Sequence, residues 1–496
     1  MPGEKLTILR DLSFGQRVAE DEVDDLASYF VETEQWRKVA KGHVDVIFGA
    51  KGAGKSAIYS TLLQREDEFF DEGIALIAAE NPRGAPAFKD LVSDPPTTEV
   101  EFVSLWKLYI ASLIGSFLAD FDVVGDASKT VRSVLASEGL LPRKDAPLRS
   151  RIRSIVDYVR RALKFEAEVK VDPVTSMPAG GALKITLGEP SSTQVSKGAI
   201  SVDNLLSTAN EALAENEVTV WLLFDRLDVA FAESRDLEAN GLRALFKAYL
   251  DLAPLDNIQL KVFLRSDIWK SVTDKGFREA SHITRQLTIR WQTSSMLNLV
   301  VNRILQNEKV IDYYSIDRRS QITAEEQREL FDKMVPEKVD AGKNPLTFEW
   351  VLGRAKDGTG YFSPREVIHL LSQGRDAQIE MLERAEEEPP GTALLSRQAF
   401  REALYPVSKV RLEQTLYAEY PEVKEYIASL EQEKTDQTLS SVTKIWNVET
   451  DKAREIAARL VDIGFFEQRG EKTAPRFWVP FLYRPALNMI QGASGE

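Results

Sequence analysis

The sequence predicts an α/β fold: a doubly wound parallel sheet within residues 1–292, a helical region over 293–392, and a module of winged-helix type over 393–496. Three observations predict it. The glycine-rich octapeptide GAKGAGKS (49–56) lies between a β-branched apolar run and a helix-forming segment. Four more apolar runs of strand length follow, separated by stretches of helical periodicity. Past residue 292 the pattern turns to amphipathic helices, and the chain closes on helices followed by two strand-like runs.

The elements follow in order. From Glu20 to Ala40 apolar residues recur at helical spacing (Val23, Leu26, Tyr29, Phe30, Trp36, Val39), and Lys41-Gly42 supplies a stop. Val44–Phe48 reads as the first strand, and Ala57–Leu63 as the helix after the glycine-rich loop. Ile74–Ala78 is a second strand. Phe102–Phe121 is a strongly apolar helix expected to pack on the sheet, with Trp106, Tyr109 and Phe117 as core residues. Residues 165–187 alternate as FEAEVKV and ALKITL about a Pro/Gly-containing turn, which predicts an inserted β-hairpin. Val218–Phe224 and Ile258–Leu264 read as buried strands with a helix, Leu242–Leu252, between them, and Gln286–Trp291 as a fifth strand. RAEEEPPG (384–391) marks a domain boundary. Thr450–Val461 reads as a helix with Ala453, Ile456, Ala457 and Leu460 inward, followed by IGFFEQRG and PRFWVPFLY as two strands of a wing.

Composition bounds the function. A chain of 496 residues exceeds one ordinary core, so two or three domains are expected. With 43% hydrophobic and 28% charged residues it is globular in character. There is no cysteine, which excludes disulfides, thiol nucleophiles and cysteine-held metals; His43, His282 and His369 are scattered without ligand spacing. Magnesium is the metal expected. No apolar run is expected to reach membrane-spanning length, and the start MPGEKLTILRD lacks the apolar stretch of a secretory signal, so the expectation is a cytoplasmic protein without a membrane partner. The net charge of -14 opposes nucleic-acid binding by the whole surface while leaving a local basic face open.

Gly49, Gly54, Lys55 and Ser56 match GxxxxGK[ST], the pattern of a phosphate-binding loop, at a strand-to-helix turn where that loop belongs. Inward-turned backbone N–H groups of Gly49, Ala50, Lys51, Gly52, Ala53, Gly54 and the first helical residues through Ala57 would cradle the phosphates of ATP (or GTP), with the helix dipole behind them. Lys55 would reach the β- and γ-phosphates and Ser56 would offer its hydroxyl to Mg2+. A carboxylate ending a neighbouring strand completes the metal site through water, and Asp225, directly after VTVWLLF, is that candidate. Asp228 is the nearby carboxylate for polarising an attacking water, a second-shell magnesium contact or a helix cap. Arg265, at the end of the fourth strand, is a candidate γ-phosphate sensor, and Arg365, in YFSPR, a candidate phosphate contact from a lid.

Together FGQRVAEDE, GAKGAGKSA, FDRLD, FLRSDIW, the SPRE segment and the tail resemble prokaryotic P-loop ATPases of the STAND and origin-recognition-like AAA+ group, and FunZ-type ATPases among them. That resemblance implies an additional-strand ATPase core, a helical lid and a winged helix that change conformation or assembly with the bound nucleotide. It also implies a homo-oligomer or a partner effector, and a setting in anti-phage defence. ATPases of that class usually carry a glutamate after the strand-end aspartate; in this chain Arg226 stands there, which implies slow or conditional hydrolysis. The alternative is an origin-recognition-like ATPase that binds DNA through its winged helix, where Lys452, Arg454 and Arg459 are offset by Asp451 and Glu455.

Overall fold

The computed structural model describes residues 2–16, 30–79, 98–141, 148–171, 184–227, 235–274, 276–317, 323–386, 388–471 and 474–494. They form two compact units. One comprises Glu34–Gly49 and Lys55–Ile289; the other comprises Met1–Thr33, Ala50–Gly54 and Arg290–Glu496.

The first unit is built on a five-stranded sheet of β1 (Val46–Gly49), β2 (Ile74–Ala78), β3 (Thr219–Phe224), β4 (Ile258–Arg265) and β5 (Gln286–Thr288). All pairs are parallel and the strand order is β2-β3-β4-β1-β5. The order places β4 between β1 and β3, which is the additional-strand arrangement of P-loop folds, and puts the carboxyl ends of all five strands on one edge. The central strands are apolar on both faces because helices cover both, so the runs VIFG and TVWLLF carry almost no polar residue. Helix α1 (Lys55–Gln64) follows β1, and α2 (Glu99–Asp120), α3 (Val202–Glu215) and α4 (Arg235–Leu252) complete the covering.

Helix α2 is buried along most of its length. Thr98 caps it, accepting from the Glu101 N–H. Trp106 is fully buried with its indole N–H donating to the Gly241 carbonyl at 2.9 Å, and the Tyr109 hydroxyl donates to the Ala79 carbonyl at 2.6 Å. Contrary to the expectation that no run reaches membrane-spanning length, α2 has an 18-residue window of mean hydropathy 1.6. Its apolarity has a different cause, since 83% of that window is buried against α3, α4 and neighbouring elements.

The predicted hairpin is corrected. Residues 165–171 complete a long helix, Leu148–Val171, whose Ala, Glu and Lys content suits a helix as well as an alternating strand. Ile185–Thr186 pairs in parallel with Ile200–Ser201 rather than antiparallel with a hairpin partner, and residues 172–183 lie outside the described residues. Of the helix read over Glu20–Ala40, the described residues are 30–40; only Glu34–Ala40 is helical, and 30–33, including Phe30, are not.

The second unit is mainly helical: α5 (Thr293–Ile304), α6 (Pro364–Glu383), α7 (Leu404–Arg411), α8 (Leu439–Trp446) and α9 (Thr450–Asp462) are its principal helices. A four-stranded sheet of β6 (Lys434–Thr438), β7 (Glu467–Glu471), β8 (Ala474–Trp478) and β9 (Ile490–Ala493) has the order β9-β6-β8-β7, with β7 and β8 forming an antiparallel hairpin after α9. One apolar cluster runs from Phe348 and Trp350 through Phe400 to Phe466 and Phe477, so no break in the core accompanies 384–391. The N-terminal helix Pro2–Asp11 belongs to this unit rather than to the sheet. Arg303 donates to the Phe14 carbonyl at 2.7 Å and Arg375 to the Leu12 carbonyl at 2.6 Å, tying the N-terminal segment to α5 and α6.

A buried charge cluster anchors the amino edge of the sheet. Lys261, opposite Asp45 on β4, is fully buried, contacts Asp45 Oδ1 at 2.8 Å and lies 4.2 Å from the Trp221 ring centre. Arg285 Nε donates to Asp45 Oδ2 at 2.7 Å and the Tyr249 hydroxyl to the same oxygen at 3.0 Å. Burial pushes the Lys261 ammonium down, with Asp45 opposing, while hydrogen bonding to Asp45 pushes the Arg285 guanidinium up. The cluster lies at the end of β1 away from the glycine-rich loop.

Candidate nucleotide site

The loop 49–56 leaves the carboxyl end of β1 and enters α1. Gly52 and Gly54 have φ of 80° and 101°, the left-handed region that a side chain makes costly, so both glycines are required by the turn. The Ala53 N–H donates to the Ala50 carbonyl at 3.1 Å, closing the tip. Lys55, the first residue of α1, reaches back over its own loop, and its ammonium donates to the Gly49 carbonyl at 3.0 Å. Ser56 and Ala57 occupy the first turn of α1, where orphan N–H groups and the helix dipole favour an anion.

Register places the remaining residues of the first unit on the same edge. Gly49 pairs with Arg265 across β1 and β4, so Arg265 flanks the start of the loop. Phe224 pairs with Val262, and Val262 with Val46, so Asp225 follows β3 on the carboxyl side of that level. Asp225 is buried at 5% exposure. Arg226 has φ of 58°, so the chain turns sharply out of the strand directly after Asp225. Asp228 lies outside the described residues.

Arg265 is engaged by its own chain: Nε and Nη2 contact the two carboxylate oxygens of Asp267 at 3.1 and 2.8 Å. Such a fork-to-carboxylate pair orients a guanidinium while neutralising part of its charge.

Within the second unit, the tip Ala50–Gly54 meets Ser363, Arg365, Trp291 and Glu419. Ser363 is the N-cap residue of α6 and Arg365 lies in its first turn; a Cβ placed on Gly52 would meet Arg365 Cβ at 2.9 Å and Ser363 Oγ at 3.1 Å. The sequence proposed Arg365 as a phosphate contact, and the structure brings its stem against the loop. Trp291, just past β5, donates from Nε1 to the Ala53 carbonyl at 2.8 Å. Lys51 is ion-paired with Glu419. The sequence analysis missed both Trp291 and Glu419 as loop partners; no motif spans such separations.

Behind α6, Arg411 bridges two acids. It contacts Glu366 at 3.0 Å and Asp357 at 3.6 Å, all three side chains being largely buried. Burial pushes the Asp357 carboxyl up, with Arg411 opposing; burial works against the Arg411 charge, but Glu366, Tyr483 and Asp357 outweigh it and hold the guanidinium above its ordinary range. Glu366 also accepts from the Ser363 hydroxyl, so this network fixes the start of α6 where it meets Gly52.

Among the described residues, no group of three or more His, Cys, Asp or Glu has the spacing of a metal cage. The donors expected from the sequence are the Ser56 hydroxyl and the Asp225 carboxylate at the end of β3. This set fits magnesium, which keeps waters and takes most remaining ligands from phosphates, and does not fit zinc.

No family model matches the chain, and no curated protein does. Solved structures match it at low identity. A Walker-type ATPase of Pyrococcus abyssi is 11% identical, with 92% of this chain and 96% of that one covered at a TM-score of 0.39. The ORC1 protein of Aeropyrum pernix, solved in complex with DNA, is 12% identical, with coverage of 92% and 91% and a TM-score of 0.36. The ORC2 protein of the same organism, in ADPNP–ADP complexes, is 12% identical, with coverage of 92% of each chain and a TM-score of 0.30. These neighbours are archaeal Walker-type and origin-recognition ATPases.

Proposed function

We propose that this chain is a magnesium-dependent, ATP-binding P-loop ATPase whose nucleotide state switches its conformation, its self-assembly or its hold on a partner protein. The observation that carries the reading is the loop itself: two left-handed glycines, Lys55 folded over the turn, and Asp225 and Arg265 on the same sheet edge. Lys55 and the first-turn N–H groups of α1 hold phosphate; Ser56, with Asp225 through water, holds the metal, which neutralises charge on the phosphates. Hydrolysis is slow, because an arginine in the left-handed region, Arg226, stands where a water-orienting carboxylate belongs, leaving that task to Asp228. Binding of MgATP by titration calorimetry, phosphate release, and particle mass with and without MgATP test the three parts in turn. A wild-type chain that binds no MgATP overturns the reading; one unchanged monomer with no co-purifying partner overturns the switch. The FunZ-type and STAND likeness, and the defence setting it implies, rest on the sequence resemblance and are tested by whether an effector gene lies alongside.

A second reading is DNA binding by the α8–α9–β7–β8 module as a winged helix. It is favoured by an arginine–aromatic ladder on its hairpin side: Arg469 stacks 3.9 Å from the Trp478 ring centre, Arg484 at 4.4 Å from Trp478 and 4.1 Å from Phe481, and Arg354 at 4.1 Å from Phe481. Burial first, then the neighbouring Arg354 and Arg469 guanidiniums, push Arg484 down to about 10; Arg469 is forked on Glu467 at 2.7 and 3.1 Å, and Arg354 pairs with Asp340 at 3.3 Å. The basic residues of helix α9 are paired in the same way, Lys452 with Glu455 at 2.9 Å and Arg459 with Glu422 at 3.3 Å. Fluorescence anisotropy on duplex DNA at low salt decides it: binding that weakens with salt, with a slope about 1 smaller in Arg469→Ala, supports the reading, and no binding removes it.

A further inference from the structure

The phosphate loop carries a second lysine that the role of Lys55 does not use. Lys51 is the third residue of GAKGAGKS, and its ammonium is held by the carboxylate of Glu419, 368 positions further along the chain. The Lys51 side chain is 32% exposed and that of Glu419 15%, so the pair is screened less than one on an open surface.

Glu419 occupies a particular place in its unit. Helix α7 runs without interruption into a π-helical turn, Leu412–Tyr417, and Glu419 follows two residues later. Wide turns of this kind interrupt regular hydrogen bonding and recur at functional positions. Arg411, the last residue of α7, braces Glu366, and the preceding residue, Arg365, packs on Gly52. One continuous element therefore reaches the loop tip directly, through Glu419 on Lys51, and indirectly, through Arg411 on Glu366, the neighbour of Arg365 in the chain.

We infer that Lys51 and Glu419 form an ion-pair latch on the phosphate loop, which the phosphate chain of a bound nucleoside triphosphate exchanges for its own contact with Lys51. This inference rests on the phosphate-loop reading above. The polyphosphate offers the Lys51 ammonium an anionic partner at the loop where it already sits, and it repels the Glu419 carboxylate, which then loses its counter-ion. No covalent step is involved. Because coupling is reciprocal, whatever favours release of Glu419 tightens triphosphate binding, and binding in turn loosens segment 412–419 from the loop. Glu419 is thus a positioning residue that acts on the nucleotide through Lys51.

The test titrates MgATP into the full-length wild type, Glu419→Gln, Lys51→Gln and the double variant, with hydrogen exchange of residues 412–420 followed in each. Glu419→Gln is expected to tighten MgATP about five- to tenfold, and to do so only where Lys51 is present. MgATP is expected to raise exchange over 412–420 in the wild type and to leave it unchanged in Glu419→Gln and Lys51→Gln. Should Glu419→Gln misfold, Lys51→Gln alone carries the exchange readout. Unchanged affinity in Glu419→Gln, or equal tightening in the Lys51→Gln background, overturns the latch. Failure of the underlying reading looks different: the wild type binds no MgATP, or Lys55→Ala binds it as well as the wild type.

Discussion

Replacing Gly52 by alanine tests the packing of the loop tip most directly. Two costs add. Gly52 has φ of 80°, where an alanine is disfavoured by about 1–2 kcal/mol. The new Cβ would also lie 2.9 Å from Arg365 Cβ and 3.1 Å from Ser363 Oγ, so the tip or the start of α6 must move, at about 1–3 kcal/mol for an overpacked contact. The total is about 2–5 kcal/mol, and a 2 kcal/mol share expressed at the loop weakens MgATP about 30-fold. Gly360→Ala is the control. It lies in the same unit with φ of 82° and nothing within 4 Å of an added Cβ, so it carries the first cost without the second. Chemical unfolding and MgATP titration of both variants give the comparison. If Gly52→Ala is no less stable than Gly360→Ala and binds MgATP like the wild type, Arg365 does not pack on the loop and the placement of α6 against the tip is wrong.

Further perturbations reach other parts of the argument. Lys55→Ala is expected to weaken MgATP by at least about 100-fold in titration, through loss of charge-assisted hydrogen bonds to phosphate. Asp228→Asn is expected to lower phosphate release by about 100-fold or more with MgATP affinity kept if this residue polarises the water; unchanged turnover assigns it to capping or metal support instead. Arg411→Met leaves the Glu366 and Asp357 carboxylates without their shared cation and is expected to cost about 3–5 kcal/mol in denaturant unfolding. Hydrogen bonds from Arg328, at 2.6 and 3.0 Å, hold the Glu349 carboxyl below its ordinary value of 4.5. A lowered carboxylate pKa stabilises the fold above the unfolded value and loses that effect as pH falls through the folded one. The gap in melting temperature between wild type and Glu349→Gln should therefore close on going from about pH 6 to about pH 3.

What was legible in the sequence was whatever short-range chemistry controls. VIFG and TVWLLF announced buried parallel strands because both of their faces are covered, and GAKGAGKS announced its loop because left-handed turns need glycine at fixed positions. FEAEVKV misled for the same local reason: seven alternating residues fit a strand face, but they continue a helix begun at Leu148, and only the longer segment reveals the period. The first residues were grouped with the sheet region 1–292 by proximity in sequence, whereas Leu12 and Phe14 are held by Arg375 and Arg303, 363 and about 290 residues away. Glu419 is the extreme case. In sequence it is one acid among 77 Asp and Glu residues, with no motif around it, and its meaning comes from the turn after Arg411 that delivers it to Lys51. Lys51 itself was assigned only a backbone part in the loop, since the pattern GxxxxGK[ST] leaves its third position open. An open position in a phosphate-binding motif is where chain-specific chemistry can enter without disturbing the phosphate cradle. A charged residue there, paired to a distant acid, links the loop to the α7 segment while Lys55 and the two glycines keep their phosphate-binding roles.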